Sequence, residues 1–127
     1  MLATGYVLSG LIGIAIIILG LRFFTSPAAA ARDYGVPGSA ADGSALNSFL
    51  AAKGLRDIVS GLVTFALMAN GIPHVLGEFL LIASLIAFGD AMIVSRSGGQ
   101  RSKVFGVHGA AGLFMVITAL ILILAAR

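Results

Sequence analysis

The chain has 127 residues, 59% of them hydrophobic and 10% charged, with a net charge of +3 and no cysteine. That length holds one domain, and so few charges cannot coat a water-facing surface, so the composition is that of an integral membrane protein with the lipid bilayer as its partner. The charge is too small and scattered to draw nucleic acid, and the missing thiols exclude disulfides, zinc–thiolate centres, cysteine nucleophiles and S-acylation.

Four apolar segments approach the ~20 residues that cross a hydrocarbon core. The first covers about residues 4–24, "TGYVLSGLIGIAIIILGLRFF". After it, "TSPAAAARDYG" predicts a short interfacial helix with Ser26 at its cap, Pro27 in its first position and Gly35 at its end. Pro37, Gly38 and "ADGSA" then loop back toward the membrane. A cleaved signal peptide ending near Ala31 is the competing reading, but no positive charge precedes the apolar run and "RFFTSP" separates it from the alanines.

The second segment covers about residues 46–70 and stops at "NGIP", where Asn70-Gly71 ends one helix and Pro73 suits the first turn of the next. The third and fourth cover about residues 73–94 and 104–126, joined by the nine-residue polar loop "SRSGGQRSK". Short connections make consecutive helices antiparallel, which predicts an all-α fold: an up-down-up-down bundle of four transmembrane helices. Arg32, Arg96, Arg101 and Lys103, with Arg22 at the membrane edge, lie on one side of that bundle, against Arg127 on the other. The positive-inside rule then puts both longer loops in the cytoplasm and both termini outside. Four short helices enclose little interior, which leaves room for a homo-oligomer.

Within the second segment, "FLAAKGLRDIVSG" places Lys53, Arg56 and Asp57 where a span should be apolar. At about 1.5 Å per residue, these lie roughly 8, 12 and 14 Å below the cytoplasmic end, with Asp90 and His108 each about 6 Å below it. Three helices thus deliver ionisable groups to one half of the bundle. Lys53, Asp57, Ser60 and Thr64 are spaced by 4, 3 and 4, a single polar stripe with Arg56 at its flank. A charge near mid-helix costs about 2.5–3.5 kcal/mol against lipid, so the stripe should face the interior or a wet cavity. Lys53 and Asp57 are spaced to pair, and Arg56 is a partner for Asp90 across the interface. Ion pairs that merely fix helix register are the plainer explanation, although apolar replacements of such pairs are often as stable.

Glu78 and His74 fall at the opposite end and read as interfacial, with Glu78 otherwise the outer mouth of a polar path. Ser9 and Gly13, and "GVHGAAG" over Gly106–Gly112, supply small residues for close helix packing. No phosphate-binding glycine loop, nucleophile elbow or metal-spaced histidine pair is present, so no cofactor or metal is expected. Asp57 and Asp90 in different company, with His108 titrating near neutrality, suit acid–base chemistry.

The residues "KGLRDIVSG", "LIAFGDAMIV" and "FGVHGAAGLFMVITALILIL", with "SPAAAARDYGVP" after the first span, resemble domain-of-unknown-function family 4267, a family of small four-span membrane proteins from fungi and bacteria. Arg56-Asp57, Gly89-Asp90 and His108-Gly109 are the most specific matches. The resemblance implies a four-helix membrane fold and brings no settled activity. The association of some relatives with fungal small-molecule biosynthesis makes a lipophilic substrate an expectation of the resemblance.

Three functions follow as expectations. The first is an acid–base isomerase, cyclase or epoxide-opening enzyme acting on a lipophilic small molecule. There Asp90 or Asp57 is the acid or base, Arg56 and Lys53 stabilise developing negative charge, and His108 relays a proton. The second is a proton-coupled carrier or channel component running through Asp57, Asp90 and His108 toward Glu78. The third is a structural or accessory protein, whose charge cluster would be dry and without a cavity.

Overall fold

The structure, a computed structural model, describes residues 1–35 and 44–127. The predicted loop over Pro37, Gly38 and most of "ADGSA" lies outside the described residues, which are helical throughout apart from short turns and contain no strand. Helix α1 spans Leu2–Thr25, α2 Pro27–Tyr34, α3 Ser44–Ala69 and α4 Pro73–Arg96. A single turn, α5 at Arg101–Lys103, runs into a π-helical segment at Val104–Gly109 and on into α6 at Ala110–Ala125.

Three of these stretches, Leu2–Thr25, Pro73–Arg96 and Arg101–Ala125, have the length and apolarity to cross a membrane. Helix α3 is as long, at 26 residues, but carries Lys53, Arg56 and Asp57. Large apolar side chains such as Ile18, Ile82, Leu85 and Phe114 stay exposed on the outside of the assembly, a surface suited to lipid.

Turn chemistry sets the helix ends. Gly71 takes a φ of +63° and hands the chain to Pro73 in the first turn of α4, as "NGIP" predicts. Ser26 holds the N-cap position of α2, with Pro27 behind it, and left-handed Gly35 stops that helix. The loop at "SRSGGQRSK" is shorter than nine residues. Helix α4 runs through Arg96 and α5 starts at Arg101, because Ser97 returns its hydroxyl to the Ile93 carbonyl and Gly98 supplies the turn.

Helix α1 packs along α3, and α4 along α6; α1 also meets α6, and α3 meets α4, so the four long helices close on themselves. Glycine permits the α1–α3 approach. A Cβ at Gly20 would strike the Gly54 carbonyl, one at Gly54 the Gly20 carbonyl, and one at Gly61 the Gly13 carbonyl. Ile12, Leu76, Leu80, Met115, Ala119 and Leu122 form the apolar core. The buried hydroxyls of Ser9, Thr64 and Thr118 each donate to the carbonyl four residues back, which lets them sit among apolar groups.

Candidate functional site

The polar stripe of α3 faces inward: Lys53, Asp57 and Ser60 line a cavity of about 340 Å³, and Thr64 below them is fully buried. The Lys53 ammonium donates to Asp57 Oδ2 at 2.8 Å, one turn along its own helix. Its nitrogen also lies 3.6 Å from Asp90 Oδ2 on α4. These three side chains are about one-fifth exposed, and all three line the cavity. The ammonium also sits 5.2 Å from the Phe23 ring centre and 5.0 Å from that of Tyr34. One cation is therefore held between two carboxylates and two aromatic rings.

Helix α2 covers one end of this cluster. The Tyr34 carbonyl accepts from His108 Nε2 at 2.8 Å, and the two rings meet edge to face with centroids 4.6 Å apart. A carbonyl only accepts, so Nε2 of His108 carries a proton and Nδ1 is the remaining basic position. His108 is buried within the π-helical turn, where Val104 is buried too while Phe105, Gly106 and Val107 are exposed. Wider turns of this kind concentrate at functional sites. Burial, together with the Asp90 carboxylate beside the hydroxyl, pushes the Tyr34 phenol upward, so it stays protonated and available as a donor.

At the cavity rim, Asp33 pairs with Arg22 at 2.6 Å and stands 3.8 Å from the Lys103 ammonium. The Arg22 guanidinium beside Asp33 holds its carboxyl below the usual range. Away from this polar end the lining is apolar and includes Ile16, Leu19, Ile86 and Met115. The cavity thus has the size and composition of a small-molecule site, with a few convergent polar groups.

Lys53, Asp57, Asp90 and His108 all line the cavity, and Lys53 lies within 4 Å of both carboxylates. Arg56 does not join them: it is exposed and stands off the cavity lining, and among the described residues Lys53, not Arg56, is the cation against Asp90. The reason is angular, since Arg56 flanks the stripe by one residue and an α-helix turns about 100° per residue. Phe23, Tyr34 and Asp33 are the residues that sequence reasoning missed. "RDYG" marked the end of a helix, but nothing local says that this helix folds back over the bundle. Glu78 is exposed and lies 3.4 Å from His74 at the other end, and fully buried Leu76, Leu80, Ala119 and Leu122 belong to the apolar core on the helices between. Among the described residues, no group of acidic, histidine or cysteine side chains is arranged to hold a metal.

No curated protein and no solved structure gives a match. A family described as a domain of unknown function, DUF4267, matches residues 13–122, a range that takes in every wall of the cavity described above. The chain therefore belongs to the DUF4267 family.

Proposed function

We propose that this is a multi-pass membrane protein whose cavity takes a lipophilic small molecule and subjects it to acid–base chemistry at Asp90 and Asp57. All four long helices cross the bilayer up and down, with both longer loops cytoplasmic. The observation that carries this reading is the apolar cavity of about 340 Å³ ending on Lys53, Asp57 and Asp90. A charge cluster serving only to fix helix register needs no such space beside it.

The roles follow from how each carboxylate is held. Asp57 is tied to Lys53 at 2.8 Å, whereas Asp90 has that ammonium only at 3.6 Å. Asp90 is the less committed acceptor and is the proton-transferring group, with Asp57 as its partner. The Tyr34 phenol, kept protonated, orients Asp90. His108 holds Tyr34 through its carbonyl and so positions the roof of the site. Isomerisation, cyclisation and epoxide opening all fit one exchangeable proton in an apolar enclosure. The carrier reading has less support, because the apolar core separates the cluster from Glu78.

The test is comparative metabolite profiling of membranes carrying the wild type, Asp90→Asn or Asp57→Asn. The expected result is a lipophilic compound consumed by the wild type and left intact by Asp90→Asn, with both proteins folded. Identical profiles for wild type and both folded variants would remove the catalytic reading.

A further inference from the structure

We propose that the polar end of the cavity is a site for an organic cation, so that the molecule taken up pairs an apolar body with a positively charged head such as an ammonium group. This rests on the reading of the cavity as a ligand site and adds the charge of the ligand to it.

The inner cluster has two carboxylates, Asp57 and Asp90, against the single ammonium of Lys53. Neighbouring cations are engaged elsewhere. Arg22 and Lys103 face Asp33 at the rim, the Nε2 proton of His108 goes to the Tyr34 carbonyl, and Arg56 stands off the cavity. The lining as a whole is balanced, but unevenly: the inner end has one carboxylate more than it has cations, and the rim one cation more than it has carboxylates. A ligand cation is therefore drawn to the inner end, beside Asp57 and Asp90.

Phe23 and Tyr34 already present their rings to one ammonium, at 5.2 and 5.0 Å. Ring faces attract cations through their quadrupole, and such enclosures recognise substituted ammonium groups. An anionic head at the inner end would instead meet two carboxylates and two ring faces, with the one ammonium there already shared among them. The same contacts change the role of Lys53. Held by Asp57 and Asp90, it has little charge left with which to stabilise a developing anion.

The apolar walls at Ile16, Leu19, Ile86 and Met115 receive the body of the ligand. A cavity of about 340 Å³ holds roughly ten to fifteen non-hydrogen atoms at protein-like packing.

Three ten-carbon probes of matched length separate the possibilities: decyltrimethylammonium, decan-1-ol and decanoate. Each is added at equal mole fraction to the purified protein in maltoside micelles, and thermal unfolding is followed by far-ultraviolet circular dichroism. A ligand that binds only the folded state raises Tm with its concentration. The expected result is a rise of about 4 °C or more with the ammonium probe, well above either other probe. Asp90→Asn and, separately, Phe23→Leu remove that excess and leave the response to decanol in place. Equal rises with the ammonium probe and decanol overturn the cation assignment and leave the cavity reading standing. No rise with any probe overturns both. An excess that persists in folded Asp90→Asn also overturns the assignment, because the cation would then be bound elsewhere.

Discussion

Lys53 and Arg56 are three residues apart, and their environments set opposite expectations. Breaking a buried ion pair by removing one partner costs about 3–5 kcal/mol. Lys53 is about one-fifth exposed, so Lys53→Gln should cost about 3 kcal/mol, at the lower end. Arg56→Gln, exposed and off the cavity, should stay within about 0.5 kcal/mol of the wild type. Denaturant titration in micelles compares the two, and similar losses from both would contradict the assignment of Lys53 as the internal cation. His108 belongs to the same scale. His108→Ala deletes the hydrogen bond to the Tyr34 carbonyl and the ring contact, and should cost about 1–3 kcal/mol. A substitution without measurable effect would mean that α2 is held by other contacts.

At the scale of elements, α2 is the part the sequence announces without locating. Its boundaries follow from Ser26, Pro27 and Gly35, but its docking depends on Asp33 meeting Arg22 and on Tyr34 meeting His108, contacts between residues 11 and 74 positions apart. The two titrating groups of α2 give this docking a pH dependence whose sign differs at each end. The Asp33 carboxyl is held below its ordinary value of 3.8. Its contribution is therefore complete above that value and is lost as pH falls through the lowered folded-state pKa. The Tyr34 phenol is raised above its ordinary value of 10.0, so its contribution is complete below that pH. It declines as pH rises beyond 10.0, where the unfolded phenol ionises first. Stability measured against pH should therefore fall at both extremes, and Tyr34→Phe should flatten the alkaline fall alone. An alkaline fall that survives in Tyr34→Phe would assign it to another group.

The α1–α3 interface is a second element-scale feature. Gly13 was legible as a packing position, whereas its neighbours across the interface, Gly54 and Gly61, were hidden by the charges beside them. Gly54→Ala places a methyl group against the Gly20 carbonyl and should cost about 1–3 kcal/mol. Gly106→Ala meets open space and should be tolerated. Equal stability of the two variants would argue against backbone contact between α1 and α3.

Across the whole molecule, the helices were legible because hydropathy and helical rise are local properties. The pairing of Lys53 with Asp90, the exclusion of Arg56 and the roof formed by Tyr34 were not, because each depends on how neighbouring helices rotate against one another. The chain lacks cysteine, which makes the proposed topology directly testable. Single cysteines at Ser97 and Arg127 should label from opposite faces of sealed vesicles with an impermeant maleimide, Ser97 from the cytoplasmic face. Labelling of both from one face would contradict the single crossing between those positions and the proposed sidedness.

The claim on which the account turns is that the space beside Lys53, Asp57 and Asp90 is occupied by a small lipophilic molecule. Native mass spectrometry of the protein released from its own membrane, compared with Ala87→Trp, measures this directly, because Ala87 lines the cavity and an indole there would take up much of its space. The account predicts a bound molecule of about ten to fifteen non-hydrogen atoms on the wild type and none on folded Ala87→Trp. A wild type that carries no such molecule, or a variant that carries it equally well, would contradict it.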